Sequence, residues 1–165
     1  MASPQKKPSN EKLIATNSAA RTRYHIEEVV EAGIVLTGTE VKSLRVQAPN
    51  LRDSYVEVTT KKGHAAEAWL LNTHIAPYSH GNIWNHNPLR QRKILLHRHQ
   101  IDKILGAITQ KGMTVVPLRM YFKSGIAKVE LGLCKGKKKH DKREELKKKS
   151  AEHEMAEARK RKRSF

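Results

Sequence analysis

Cysteine is almost missing from this chain. Cys134 is the single one among 165 residues, which excludes an intrachain disulfide and a thiolate zinc cluster and leaves its thiol as a small buried hydrophobe near a strand end. Aromatic residues make up only 5%, too few for the stacking run of an RNA-recognition motif. No apolar stretch approaches the roughly 20 residues that cross a bilayer, and Lys6 and Lys7 lack the apolar segment that would follow them in a secretory leader. The expectation is a cytoplasmic chain with no membrane partner. There is also no phosphate-cradling glycine loop, nucleophile elbow or paired-carboxylate constellation, so neither catalysis nor a cofactor is expected. Acid is scarce: 16 Asp and Glu stand against 33 Lys and Arg, a formal net charge of +17. The partner of such a chain is an anion, with nucleic acid ahead of a membrane surface.

The charge falls into two units. Residues 135–165 hold 14 basic and 6 acidic side chains, and residues 1–134 hold 19 and 10. In the tail, residues 136–165, the few apolar side chains (Leu146, Met155 and Phe165 among them) do not repeat at i, i+3, i+4, i+7, so it has no face to bury. It does carry helix chemistry: Asp141 stands three residues before Glu144 as in a capping box, and Glu144/Lys148, Glu145/Lys149 and Glu157/Arg161 are acid-first pairs at i, i+4. Each pair contributes about 0.2–0.5 kcal/mol, too little to offset helix nucleation. A tail disordered when free and helical on a polyanion follows.

Residues 1–20, with Pro4 and Pro8, read as a flexible arm, and residues 21–135 as one compact domain. Alternation over Arg23–Val30, then Gly33, then Ile34–Leu36 reads as two strands joined by a turn. Thr39–Arg45 suits a short helix capped by Thr39 that turns Lys42 and Arg45 outward. Tyr55–Thr59 and Ala66–Leu71 flank a turn at Lys62-Gly63 and read as a hairpin. Residues 72–92 form a long polar connection, of a length usually kept for function. After a strand at Ile94–Leu96, Ile101, Ile104, Leu105 and Ile108 give the clearest helical period in the chain, ended by Gly112. Met113–Phe122 and Ile126–Leu133 flank Lys123-Ser124-Gly125 as a final hairpin. About six strands and two to three helices, mainly β, fit a small closed antiparallel barrel of the oligonucleotide-binding type; a sandwich would give a similar pattern.

Lys42, Arg45, Arg90, Arg92, Lys93 and Lys128 are the candidate phosphate contacts, against the plainer reading of scattered surface charge. Tyr24, Tyr78 and Trp84 are candidates for stacking on exposed bases, Trp84 foremost because it lies in the polar loop, whereas Tyr55 in an alternating strand reads as core. Asn50 reads as a turn residue, with a base or ribose contact as its alternative. Leu95 in its apolar run reads as core. Glu31 is an acid amid basic neighbours, either accepting a hydrogen bond from a base edge or held in a structural salt bridge. His74, His80, His86, His97 and His99 lack the spacing that forces metal ligands together. A structural ribosomal protein and a metal-dependent ribonuclease are the rival readings.

Four ordered stretches are more specific: YHIEEVVEAGIVLTGTEVKSLR (24–45), NLRDSY (50–55), RQRKILLH (90–97) and GKKKHDKR (136–143). Together with HIAPY (74–78) and GNIWNHNP (81–88), they resemble the small protein B family, the bacterial partners of transfer-messenger RNA in the rescue of stalled ribosomes. The resemblance implies an oligonucleotide-binding-like barrel that grips the transfer-RNA-like domain of that RNA, and a tail that enters the decoding centre and empty messenger channel of the small ribosomal subunit against its ribosomal RNA. It further implies a monomer that meets elongation factor Tu only through the RNA. By matching position, Glu31, Leu95 and Lys128 correspond to RNA-binding residues. Gly136, Lys137, Lys138, His140, Asp141, Lys142 and Arg143 correspond to the ribosome-facing tail. The family usually shows an asparagine followed by basic residues before position 21, whereas Asn17 here is followed by Ser18, Ala19 and Ala20.

Overall fold

The computed structural model describes residues 11–60, 63, 65–137 and 155. Its elements run β1 (Glu11–Thr16), α1 (Ser18–Arg23), β2 (Tyr24–Ile34), α2 (Gly38–Val46), β3 (Tyr55–Thr59), β4 (Glu67–Leu71), a 3₁₀ turn (Asn82–Trp84), β5 (Arg92–Leu95), α3 (Arg98–Lys111), β6 (Thr114–Lys123) and β7 (Ile126–Gly136). The fold is mainly antiparallel β with three α-helices among the described residues.

Pairing explains why β6 and β2 are long. β6 pairs with β7 along its whole length, but its other edge takes β3 at Val115 and then β1 from Arg119 to Lys123. Likewise β2 pairs with β7 from Tyr24 to Gly33 and takes β5 at Gly33 and Ile34. The pairings β6–β3–β4–β5–β2–β7 return to β6, with β1 added as an outer seventh strand. Val56, Ala68, Leu70, Ile94, Val115, Met120, Val129 and Leu131 point to one shared core, which α2 closes with Leu44 and α3 with Ile104. The α3 period predicts the buried Ile101 and Ile104, and Gly112 ends the helix in the left-handed conformation (φ 60°) that spares it a Cβ clash. The β6–β7 turn places both Ser124 (φ 50°) and Gly125 (φ 81°) at positive φ, as a two-residue hairpin loop of this hand requires.

Three expectations change. Gly33 is a mid-strand residue rather than a turn, because the chain stays paired to Lys128 on one side and Leu95 on the other. The arm expected to be flexible through residue 20 is ordered from Glu11. β1 takes the open edge of β6, and the buried Asn17 fastens α1 by donating from Nδ2 to the carbonyls of Leu51 (2.9 Å) and Pro117 (3.0 Å) while its Oδ1 accepts the Ala20 N–H. The helix start lies at Thr37 rather than Thr39. The expected tail helix, and Lys138, His140, Asp141, Lys142 and Arg143 with it, lies outside the described residues.

One buried polar cluster ties α2 to the long connection. Glu40 and Arg92 are both 0% exposed. One Glu40 oxygen accepts from Arg92 Nε and Arg90 Nε, each at 2.8 Å, and the other accepts from the Thr37 N–H and from Arg90. Arg92 spends its remaining donors on the carbonyls of Thr73 (2.6 Å), Arg90 (3.0 Å) and Pro88 (3.0 Å). Burial raises the Glu40 carboxyl, yet the hydrogen bonds from Arg90 and Thr37 and the charges of both arginines outweigh it and hold the group below its ordinary value. Removing one partner of such a pair leaves a buried uncompensated charge. Arg92→Met is therefore expected to lower stability by about 3–5 kcal/mol in urea denaturation, whereas Lys93→Ala, which breaks the exposed bridge to Glu67, costs at most about 1 kcal/mol. A loss below about 1 kcal/mol for Arg92→Met would remove this cluster as the anchor of the fold.

Candidate nucleic-acid interface

The predicted basic residues separate into two kinds. Arg92 is corrected from a phosphate contact to a core residue: it is fully buried with its donors committed, because its guanidinium compensates Glu40. Arg90 is largely spent on the same carboxylate and on the carbonyls of Val35 and Gln91. Lys93 pairs with Glu67 at 2.5 Å and Lys128 with Glu31 at 2.8 Å. Only Lys42 and Arg45 remain exposed and without an acidic partner among the described residues, three positions apart on the outer side of α2.

The polar connection beside α2 is built rather than loose. Asn85 closes it by donating to the Tyr78 carbonyl (2.7 Å) and accepting the Tyr78 N–H (3.1 Å). Gly81 is required there, since a Cβ would lie 2.6 Å from Asn85 Nδ2. His86 bridges to Thr39 Oγ1 (3.0 Å) and the Ile75 carbonyl (3.1 Å), which makes it a fastener of the loop to α2. At the tip Trp84 is 82% exposed beside an equally exposed Ile83, and Lys42 lies 5.8 Å from the Tyr78 ring centre. Lys42 over the Tyr78 ring and His86 on Thr39 join α2 to this loop; the exposed cations of α2 and the exposed indole of Trp84 are groups suited to phosphates and a stacked base. Asn50 accepts the Arg52 N–H (3.0 Å) and pairs its backbone with His74, the arrangement of a turn residue.

Glu31, Lys128 and Leu95 meet on the outer face of the sheet. Gly33 is their common neighbour, opposite Leu95 on β5 and opposite Lys128 on β7. Lacking a side chain, it lets Leu95 lie close, with a Cβ built there only 3.2 Å from Leu95 Cβ. Leu95 is 54% exposed, so its reading as core is corrected; Ile94 takes the inward position instead. Tyr55, 38% exposed while Val56 is buried, is corrected in the same way. The Glu31 carboxylate accepts from Lys128 (2.8 Å), from the Tyr121 hydroxyl (2.5 Å) and from Lys123 (3.3 Å). Lys128 first, then Tyr121, hold its pKa at about 2 against a smaller opposing effect of burial. Tyr121 is itself pushed up by burial and by Glu31. The nearly buried Tyr121 and the second lysine were missed by sequence reasoning, since their link to Glu31 spans 90 and 92 residues. Tyr24 lies elsewhere, at the start of β2 opposite Gly136, where the Lys137 N–H donates to the Arg23 carbonyl.

Among the described residues no three His, Cys, Asp or Glu side chains converge as metal ligands; His97 and His99 stack on each other at 5.7 Å. Cys134 is buried, and burial pushes its thiol up to about 11. Because the folded Glu31 pKa is depressed, its contribution to stability is complete above the ordinary carboxylate value and is lost as pH falls through about 2. Acid denaturation should therefore lose that component in Glu31→Gln, and a carboxyl NMR titration should place Glu31 below the other glutamates. A Glu31 midpoint near 4.5 would mean that the cluster does not form.

Comparison with known proteins fits this arrangement. The family model for the SmpB protein matches residues 14–161. The SsrA-binding protein of Geobacillus thermodenitrificans is 54% identical over 147 residues, 89% of this chain and 92% of that one. The SsrA-binding protein of Geobacter metallireducens is 55% identical over 148 residues, 90% and 94%. A solved chain described as "tmRNA-SmpB: a journey to the center of the bacterial ribosome" superposes with a TM-score of 0.61 at 44% identity, covering 80% of this chain and 93% of that one. With a match running from β1 through the sheet into the basic tail, the chain belongs to the SmpB protein family.

Proposed function

We propose that this protein binds the transfer-RNA-like domain of transfer-messenger RNA and delivers it to stalled ribosomes for trans-translation, acting by recognition with no chemistry of its own. The convergence of Glu31, Lys128 and Leu95 around Gly33 carries the reading, because the residues matched to the family's RNA contacts are far apart in sequence and adjacent in the fold. The ring of six strand pairings supports a barrel of the oligonucleotide-binding type. On this surface Glu31 holds its neighbours in place and offers acceptor capacity to base or ribose donors, Leu95 supplies an apolar contact, and Lys42 and Arg45 of α2 neutralise phosphates. Trp84 stacks on an unpaired base. Lys93 serves as a second-line contact once its exposed partner Glu67 is exchanged for phosphate, Arg90 supports the α2 surface from its bond to Glu40, Tyr24 flanks the junction with the tail, and Asn50 offers a base or ribose contact from its turn.

The tail from Gly136 onward, including Lys137, Lys138, His140, Asp141, Lys142 and Arg143, occupies the decoding centre and the empty messenger channel against ribosomal RNA of the small subunit. The protein works as a cytoplasmic monomer and meets elongation factor Tu through the bound RNA.

A salt-titrated binding assay tests the reading by comparing the transfer-RNA-like domain with an ordinary transfer RNA and a generic duplex. Selective binding that survives added salt is expected, with Lys42→Gln and Arg45→Gln each flattening the salt slope by about 0.7–0.9. Equal binding to all three, collapsing together with salt, would instead favour a ribosomal protein that reads phosphate charge alone. Deleting residues 138–165 should leave binding of the transfer-RNA-like domain nearly intact and abolish tagging on stalled ribosomes. A large loss of RNA affinity on that deletion would overturn the division between sheet and tail.

A further inference from the structure

A lateral row of paired residues crosses five strands on the outer face of the sheet. Leu95 on β5 stands opposite Gly33 on β2, Gly33 opposite Lys128 on β7, Lys128 opposite Tyr121 on β6, and Tyr121 opposite Leu13 on β1. Both ends of the row are leucines more than half exposed. Tyr121 differs from them: it belongs to the outer face, yet only 2% of it is exposed. Its chain neighbours Met120 and Phe122 point into the core, and its own ring lies under the Arg119 guanidinium, 5.0 Å from the ring centre. Arg119 is in turn held by Glu130 at 2.5 Å. A buried hydroxyl needs a partner, and the clamped ring delivers this one to Glu31 at 2.5 Å.

The bonds to Glu31 are unevenly placed. Tyr121 and Lys123 donate to its Oε2, and Lys128 donates to its Oε1. A carboxylate offers about four acceptor sites, so donors among the described residues leave one open, on Oε1. Lys123 is 3.3 Å away and shared with Glu11, and both lysines reach Glu31 on flexible four-carbon stems, which leaves the tyrosine as the rigid member of the set. Protonation is fixed as well: burial and the carboxylate keep the proton on Tyr121, while Lys128 and Tyr121 keep Glu31 ionised. Glu31 therefore presents an acceptor and no hydrogen, on a side chain that is 37% exposed.

We propose that Tyr121 is a positioning residue for RNA recognition: its hydroxyl holds the Glu31 carboxylate so that the open site on Oε1 takes a hydrogen-bond donor of the ligand, a ribose 2′-hydroxyl or a base amino group. Tyr121 touches no ligand and acts through Glu31. Phosphate, which brings acceptor oxygens alone, gains nothing from that site. The inference rests on the RNA-binding reading above and deepens it by naming the chemical group met at Glu31.

The test is a double-mutant cycle on the full chain, read as affinity for the transfer-RNA-like domain with a generic duplex as control. Tyr121→Phe keeps the clamped ring and removes the hydroxyl; it is expected to weaken binding of the transfer-RNA-like domain about fivefold and to leave the duplex unchanged. In a Glu31→Ala background the same change is expected to cost less than about twofold, because residues that act through one another are not additive. The Glu31 carboxyl midpoint should also rise from about 2 in Tyr121→Phe, a shift that general loosening of the sheet would not confine to this group. Analogue interference on the RNA separates the two donor sources: 2′-deoxy nucleotides interfere if the group is a ribose hydroxyl, and analogues lacking the exocyclic amine interfere if it is a base amino group. Additive losses in the cycle, an equal loss on the duplex, or interference by neither analogue would each overturn the proposal. A silent Tyr121→Phe beside a weakened Glu31→Ala would overturn the role of Tyr121 alone, whereas unchanged affinity in Glu31→Ala would overturn it together with the broader reading of Glu31.

Discussion

The buried contact between Glu40 and Arg92 is the constraint on which the surface of this protein depends. Two charges 52 residues apart are removed from water, a step with a desolvation cost of several kcal/mol per ion that only full hydrogen bonding can offset. Full bonding is what the structure provides: the carboxylate caps α2 at Thr37, and the guanidinium gathers the carbonyls of Thr73, Pro88 and Arg90. Replacing Glu40 by an apolar residue would leave the buried Arg92 guanidinium, which holds the Thr73 and Pro88 carbonyls, without its counter-charge. Ser43 adds a bond from α2 to the Ala76 carbonyl (2.6 Å), and His86 adds its two. These bonds fasten the 72–91 segment to α2 at Ala76, His86 and Arg90.

The same accounting shows why net charge says little about which face of the sheet is cationic. Much of the positive charge in the sheet is spent on carboxylates. On the outer face of β1, β6, β7 and β2, the three acids Glu11, Glu31 and Glu130 are matched by the three cations Lys123, Lys128 and Arg119. Such a face is close to neutral, rich in hydrogen-bonding groups and bordered by exposed Leu95 and Leu13. It resembles a base-reading or sugar-reading surface more than a phosphate clamp. Cations without an acidic partner among the described residues stand on α2 (Lys42, Arg45) and also on α1 (Arg21), at Lys12, at Arg52, at Lys111 and at Lys135.

What the sequence made legible follows from range. The α3 period, its glycine stop, the β3–β4 pair and the β6–β7 turn are local features whose determinants lie within a dozen residues, and each appears in the structure near the expected place. β1 was not legible, because Leu13 and Ile14 sit in a polar segment and acquire their meaning only from β6, more than 100 residues on. Arg92 reads as surface and is core, since only Glu40 makes its burial tolerable. Leu95 reads as core and is surface, since a four-residue strand does not say which of its faces is inward. Motif likeness picked out Glu31 and Lys128 without showing that they touch.

A nearly neutral recognition face next to a separate cationic helix has a kinetic consequence. Long-range attraction to a polyanion falls with salt and comes from groups without carboxylate partners, which on the proposed reading include Lys42 and Arg45. Short-range geometry is screened much less by salt, and on the proposed reading selectivity rests on the geometry fixed by Glu31, Tyr121 and Lys128 at hydrogen-bond distance. Placing both functions on the same residues would make the tightest site also the least discriminating, because every phosphate backbone presents the same charge. Holding Glu31 ionised by two lysines and a tyrosine avoids that outcome: the lysines are restrained from pairing with an arbitrary phosphate unless the ligand also replaces what Glu31 supplies. On the proposed RNA-binding reading, the carboxylate on this otherwise basic protein is a filter, whose value lies in the wrong RNAs that it makes costly to bind.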